Sequence, residues 1–330
     1  MNTVTLARHA MASRFELVII GEDPARLRAA GEEALDEVDR IEARLSLYRS
    51  SSDIAQINAM AARGPVRVSP EVLALLKRAA QLHQDTGGAF DITVAPLVNA
   101  WSFMDGVWRC PDSAELERLR AVVGMRHLIL DERNMTVAFD TPGVMVDLGA
   151  IGKGYAIEQA ANILRDAGIQ RALIHGGTST VYAIGGPPEA TSWRIAVESP
   201  ETNAQTPGVG AEGQMRRLKS AAVLPADSSR NKQTLFSVEL RDMAFSVSSP
   251  SGKCFEFEGQ IFGHVIDPAT AKPGKAGLLA AVMLPSATET DALSTALLLL
   301  GPSGRDRIRI GRPMLKAWFV DDAMRIVGDD

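Results

Sequence analysis

Val146–Tyr155 reads VDLGAIGKGY, an acid, three glycines and a lysine in ten residues. The approach to it, TVAFDTPGVMV (136–146), is strand-like. The residues after it, AIEQAANILRDAG (156–168), carry a helical apolar repeat, and RALIHGG (171–177) reads as a return strand closed by a glycine pair. Strand, glycine-rich turn, helix and return strand is an order that aims backbone N–H groups and a helix N-terminus at whatever occupies the turn, which suits an anion. Lys153 adds a positive charge at the same place. The stretch is not a Walker A loop, because G-x-x-x-x-G-K-[ST] is not met. It is not a dinucleotide fingerprint, because G-x-G-x-x-G is not met. Glycine-rich turns also precede helices for purely structural reasons, so the rest of the chain has to decide.

A chain of 330 residues is long enough for one large domain or two smaller ones. Hydrophobic residues make up 46% and charged residues 23%, which suits a globular protein with a large core. The net charge is −5, with no basic run and 5% aromatic residues, so nothing supports a nucleic-acid footprint. An acidic balance suits a protein that holds a metal-complexed anion in a local positive site. Two cysteines, Cys110 and Cys254, are too few for a disulfide framework or a cysteine metal site. Buried thiols are expected, with one bridge as the alternative.

The first twenty residues lack a charged region followed by an unbroken apolar core, and no lipobox-like cysteine is present. No secretory leader is expected, and the apolar runs AGLLAAVMLP and ALSTALLLLG are too short to span a bilayer. The expectation is a cytoplasmic protein, or a periplasmic or membrane-associated one if a leader has been removed.

In chain order, RFELVII (14–20) reads as a strand. Asp23-Pro24 opens a helix whose Leu35, Val38, Ile41 and Leu45 fall on one face, the pattern of core packing. Ser52 or Asp53 can cap a short helix, with Tyr48 in the loop before it, placed either as plain surface or to stack on a planar ligand. Pro70-Glu71 starts a second strong helix, stopped by Gly87-Gly88. The stretch to Trp101 then reads as a loop carrying Phe90 and Asp91, the latter a cap or a ligand contact. SAELERLRAVVG is a short helix and HLILDERNMTVAF a strand. Residues 201–233 are polar and aperiodic and read as a surface insertion. Strands FSVEL and MAFSVSS, a hairpin FEFEGQIF, a strand AGLLAAVML, a helix in SATETDALSTALLLLG and a C-terminal hairpin turning at Asp321-Asp322 complete the chain.

Two further stretches can carry chemistry. In TETDALSTAL, Asp291 and Thr295 are i and i+4 and share a helix face, with Ser294 beside them. A carboxylate, a hydroxyl and nearby carbonyls are hard oxygens of the kind Mg²⁺ takes. Equally, Asp291 reads as a first-turn acid and Thr295 as core. GHVIDP places His264 between strands near Asp267, as a general base or as a structural histidine.

Together these pieces resemble the ApbE family, the FAD:protein FMN transferases. The pieces that match occur in the family's order: MASRFEL, DEVDRIEARLSLYRSSSDIAQINA, TGGAFDITVAPLVNAW, VDLGAIGKGYAIEQAANILRDAGIQRALIHGG, WRIAVESP, FGHVIDPATAKPG and ETDALSTALLLLG. They cover the chain nearly end to end apart from residues 201–233. Three positions depart: Ala271 stands where a glycine is frequent, SVSSPSG where an STSG-like run is common, and Thr178 where an acid or amide is frequent after the glycine pair.

The resemblance implies an α+β, T-fold-like arrangement around a central FAD cleft, as one domain or two subdomains. It implies Mg²⁺-dependent transfer of the FMN half of FAD to a Thr or Ser hydroxyl of an acceptor flavoprotein, such as a redox-pump or reductase subunit, with release of AMP. A Mg²⁺-dependent FAD pyrophosphatase and a non-catalytic FAD carrier are the alternatives. By similarity, Met11, Tyr48, Ala89, Phe90, Asp91, Asp147, Lys153, Ile266 and Ser294 line the FAD site. The Ala150 carbonyl, Asp291 and Thr295 ligate Mg²⁺, and His264 is the base for the attacking hydroxyl. Tyr48 and Phe90 offer flat apolar surface for a flavin or adenine.

Overall fold

The Asp23 side chain accepts the backbone N–H groups of Ala25 and Arg26, and Pro24 supplies a fixed φ at the first helical position. The helix so started, α1 (Pro24–Leu45), buries Leu27, Leu35, Val38, Ile41 and Leu45 along one stripe. Each such side chain fully withdrawn from water contributes about 1.5–3 kcal/mol. The computed structural model describes residues 1–102, 109–199, 223–225, 234–250, 254–257, 260–274 and 277–329.

Before α1 lie β1 (Asn2–Ala10) and β2 (Ser13–Gly21), a nine-pair antiparallel ladder. The sequence reading had only the second. β1 alternates buried Val4, Leu6 and Ala10 with solvated polar residues, a half-buried edge strand. After α1 come α2 (Asp53–Met60, capped by Ser52), β3 (Val66–Arg67) and α3 (Pro70–Asp85, capped by Ser69). Residues 87–101, expected as a loop, hold a 3-10 turn (Ile92–Val94) and α4 (Ala95–Ala100), with Pro96 at the helix start. The Trp101 indole N–H ties this segment to the Ala271 carbonyl at 3.0 Å.

Next are α5 (Ser113–Arg120), β4 (Leu128–Asp131) and β5 (Thr136–Phe139). The single strand expected over 127–139 is therefore a hairpin. Its turn forms because Asp131 Oδ1 accepts the N–H groups of Arg133 and Asn134. β3, β5 and β4 make a small separate sheet. The strand approaching the glycine-rich turn thus lies in a different sheet from the strand that follows it. α6 (Gly152–Asp166) leads into β6 (Ala172–Gly176), so the order strand, turn, helix, strand is present with its two strands in different sheets. Periodicity finds strands but not their partners.

β7 (Thr180–Ile184), β8 (Trp193–Glu198), β9 (Val223–Pro225), β10 (Thr234–Leu240) and β11 (Met243–Ser248) follow. Residues 201–233, expected as an insertion, lie outside the described residues except for β9, which pairs with β8. β12 (Cys254–Phe257), β13 (Gln260–Gly263), β14 (Ile266–Asp267) and β15 (Lys272–Pro273) are two short hairpins. The end of the chain is β16 (Leu279–Leu284), α7 (Ala287–Leu300), α8 (Gly304–Arg309), β17 (Lys316–Val320) and β18 (Ile326–Gly328).

The main sheet has eight strands in the order β1-β2-β6-β7-β11-β16-β17-β18, with every pairing antiparallel. One face packs on α1, α6 and α7 through Phe15, Leu17, Ile174, Ala244, Val282 and Phe319. On the other face Leu173, Val181, Phe245, Ala281 and Trp318 meet Ile195, Val197, Val238 and Leu240 of the β10-β8-β9 sheet. Cover on both faces explains why LAAVML and TVYAI are apolar without alternation. The fold is mixed α+β. Cys110 is an exposed free thiol rather than the buried one expected.

Candidate active site

Asn58, at the end of α2, clamps the glycine-rich stretch. Its side-chain oxygen accepts the Val146 N–H at 2.8 Å and its amide donates to the Val146 carbonyl at 2.9 Å. The amide thus pairs with Val146 through both of its backbone groups, as a neighbouring strand would. Asp147 follows, anchored by its N–H to the Ile92 carbonyl at 2.7 Å, and its Oδ1 accepts the Gly149 N–H at 2.7 Å. Asp147 and Met145 line a cavity of about 370 Å³ together with Leu47, Tyr48, Asn58 and Val98. Tyr48 is 74% exposed and lines this cavity with an aromatic ring.

The glycine-rich turn ends in α6, whose first turn has no side-chain cap of its own. The cap comes from α7: Asp291 Oδ2 accepts the Gly154 N–H at 2.9 Å across 137 residues. The favour is returned, because Glu158 of α6 accepts Ser286 Oγ at 2.6 Å and the Thr288 N–H at 2.9 Å at the start of α7. Each helix thus supplies the anion for the other's N-terminus. Gly154 makes the crossing possible, since a Cβ there would sit 2.1 Å from the Ala287 carbonyl oxygen. Asp291 lies in the second turn of α7, 4% exposed, rather than in the first turn. Lys153 Nζ donates to the Gly149 carbonyl at 3.3 Å, holding its charge over the turn.

Around Asp291 is a buried set of hydroxyls. Thr180 Oγ1 lies 3.4 Å from Asp291 Oδ1, and Ser246 Oγ reaches Thr180 at 3.1 Å and Thr290 at 2.8 Å. Ser294 Oγ and Thr295 Oγ1 both lean on the Asp291 carbonyl and both meet Ser248 Oγ, at 2.8 and 3.0 Å.

Asp291, Thr295 and the Ala150 carbonyl fit a Mg²⁺ ion by donor chemistry. All three are hard oxygens. The Gly154 N–H, four residues on from Ala150, donates to Asp291. A carboxylate presents about four lone-pair sites, and Gly154 and Thr180 take two. Mg²⁺ binds one or two carboxylates and completes its shell with water and phosphate oxygens. Among the described residues no group of three or more His, Cys, Asp and Glu side chains forms an all-protein cage.

Phe90 is 2% exposed and its ring is part of the core, so the flat surface expected of it is enclosed. Asp91, 7% exposed, is held from three sides. Its Oδ1 accepts the Thr93 N–H at 2.7 Å and hydroxyl at 2.6 Å, and its Oδ2 lies 3.3 Å from His83 Nδ1. That nitrogen also donates to the Phe90 carbonyl at 3.0 Å. The hydrogen bond to Asp91 raises the His83 pKa above its ordinary value, against the opposing effect of burial. Ala89 is packed partly into the core beside Phe90.

His264 sits half-buried between β13 and β14, two residues before the buried Ile266. Asp267, three residues on, turns its carboxylate to the loop that follows. Its oxygens accept the Ala269 N–H and the Thr270 hydroxyl, both at 2.9 Å, and shape the next turn. That turn needs Ala271 at φ +59, the left-handed region, which accounts for glycine being the easier residue there. Met11 occupies the β1–β2 turn at φ +50.

Asn58, Glu158, Thr93 and Thr180 were not anticipated. Each acts across at least 31 residues or through a lone polar side chain, and no spacing marks it.

Among curated relatives, the FAD:protein FMN transferase of Escherichia coli (strain K12) is 28% identical over 298 residues, 88% of this chain and 77% of that protein. The FAD:protein FMN transferase of Vibrio cholerae is 29% identical over 275 residues, 80% of this chain and 72% of its own. Among solved structures, the ApbE protein of Thermotoga maritima superposes with a TM-score of 0.82 at 23% identity, covering 100% of this chain and 97% of that one. The Pseudomonas stutzeri flavinyl transferase ApbE in its apo form gives a TM-score of 0.78 at 26% identity, covering 99% and 94%. The model of the ApbE family matches residues 11–319, and the chain belongs to that family.

Proposed function

We propose that the chain transfers the FMN moiety of FAD to a Thr or Ser hydroxyl of an acceptor flavoprotein and releases AMP. The observation that carries this reading is a junction: the cavity of Tyr48, Asn58 and Asp147 touches the start of the ten-residue stretch whose far end is joined to Asp291. A planar group and a diphosphate need such neighbours. In this reading Met11, Tyr48, the Ala89–Asp91 backbone, Asp147, Ile266 and Ser294 hold the nucleotide. Lys153 and the start of α6 face its phosphates. Mg²⁺, held by Asp291, Thr295 and the Ala150 carbonyl, supplies charge neutralisation at the diphosphate when bound.

The chemistry is a phosphoryl exchange. The acceptor oxygen bonds to the FMN phosphorus, the bridging P–O bond breaks, and AMP leaves with the bridging oxygen. His264 takes the hydroxyl proton. Names of relatives, the family match and the donor chemistry of the site support the reading.

The test is incubation with FAD, Mg²⁺ and a candidate acceptor. Acceptor mass rising by one FMN unit, with AMP in equal amount, is the expected result. FMN and AMP without acceptor labelling makes the protein a pyrophosphatase, and bound FAD without AMP makes it a carrier. His264→Ala is expected to keep FAD affinity and slow transfer about 10²–10⁴-fold. An unchanged rate removes His264 from the reaction.

A further inference from the structure

We infer that Glu42 is a positioning residue for the nucleotide, joining the two loops that carry Met11 and Tyr48; this rests on the reading above, in which both loops face FAD. Glu42 lies in the last turn of α1. Its Oε1 accepts the Met11 N–H at 2.8 Å, and its Oε2 accepts Arg49 Nη2 at 3.0 Å. One carboxylate therefore reaches a strand turn 31 residues before it and a loop 7 residues after it.

Both loops need an outside hold. The β1–β2 turn closes the Ala10↔Ser13 pair with Met11 and Ala12 at φ +50 and +54. Two-residue hairpins of that kind favour Asn-Gly, because other side chains crowd the backbone in the left-handed region. Met-Ala adopts it here with the Met11 N–H fastened to Glu42. The second loop is shaped locally, since Ser46 Oγ accepts the N–H groups of Tyr48 and Arg49, each at 3.2 Å. Those bonds set the loop's own form. The Arg49–Glu42 pair, partly open to solvent, fixes how it leans on α1. A pair so exposed adds little to folding stability. Its effect belongs in preorganisation of the ligand site, where groups already in place lose less freedom on binding.

The experiment is FAD titration followed by flavin fluorescence, with steady-state transfer kinetics, on wild type, Glu42→Ala, Glu42→Gln, Tyr48→Ala and the Glu42→Ala/Tyr48→Ala double variant. Glu42→Ala is expected to raise Kd and KM for FAD about tenfold, the factor a charge-assisted hydrogen bond supplies, with kcat at saturating FAD within about twofold. Glu42→Gln still offers an amide oxygen to Met11 and is expected to fall between. Losses in the double variant are expected to be less than additive, because Glu42 acts partly through Tyr48.

Unchanged Kd in both Glu42 variants overturns the inference, as does a lower melting temperature with unchanged Kd. Should Glu42→Ala fail to fold, Glu42→Gln carries the test: a raised Kd supports the inference and a wild-type Kd overturns it. Wild type that binds no FAD overturns the proposed function and this inference together. Wild type that binds while the Glu42 variants bind equally overturns this inference alone.

Discussion

Gly154→Ala sets two expectations of opposite sign against each other. Gly154 is the third residue of α6, and alanine in a helix is favoured over glycine by about 1 kcal/mol, so helix propensity alone makes the variant more stable. The tertiary structure reverses this. The new Cβ would lie 2.1 Å from the Ala287 carbonyl oxygen and 2.7 Å from Asp291 Cβ. Carbon and oxygen need roughly 3.3 Å, so α7 must move by about 1 Å or α6 must tilt. Both neighbours belong to a buried helix and cannot swing away.

Overpacking of this severity costs about 3 kcal/mol, and the Gly154–Asp291 hydrogen bond stretches as the helices part. The net loss is then about 2–3 kcal/mol. An unfolding entropy of roughly 2.1 cal/mol/K per residue, over 330 residues, translates that into a fall of about 3–4 °C in Tm. Differential scanning calorimetry reads it directly. Metal-stimulated activity is expected to fall further than stability does, because Asp291 is displaced. A Tm equal to or above wild type would falsify the claim that these two helices meet through a glycine.

Three further outcomes are expected. Asp291→Asn keeps an acceptor for the Gly154 N–H but loses the charge, so Tm should stay within about 2 °C while Mn²⁺ affinity, read by calorimetric titration, drops at least tenfold. Equal affinity would remove Asp291 as a ligand. Tyr48→Ala removes a side chain already in water, so stability should change by less than about 0.5 kcal/mol, whereas loss of an aromatic face should weaken FAD binding roughly two- to tenfold. Unaltered FAD binding would leave Tyr48 as plain surface. His83 has a folded pKa raised above 6.5, chiefly by Asp91. Its stabilising contribution is therefore complete below pH 6.5 and lost as pH rises through the folded value. Urea midpoints should fall from pH 6 to pH 8 in wild type and fall less in His83→Gln, and parallel profiles would refute the pairing.

Local chemistry was readable where it acts over a few residues. Asp23-Pro24, Ser52 and Pro70-Glu71 mark helix starts because caps and first-turn prolines act within two or three residues, and the buried stripe of α1 was visible as Leu35, Val38, Ile41 and Leu45. The hairpin turning at Asp321-Asp322 was visible for the same reason. The motif order pointed to the family and its α+β fold. The hairpin at 128–139 was missed because its turn, ERNM, lacks glycine and proline, and Asp131 makes the turn from outside it.

What only the tertiary structure decided concerns partners distant in the chain. The sequence placed an acid, glycines and a lysine at Val146–Tyr155 between two strands, and chain order does not say which sheet each strand joins. The fold put them in two. Nothing local says that the N-terminus of α6 is capped by Asp291 or that Asn58 pairs with Val146 as a neighbouring strand would. A hydrogen bond depends on where two groups meet, and burial on what covers a face. Both are properties of packing, so residues such as Phe90, open by sequence and enclosed by structure, declare their role only once the chain has folded.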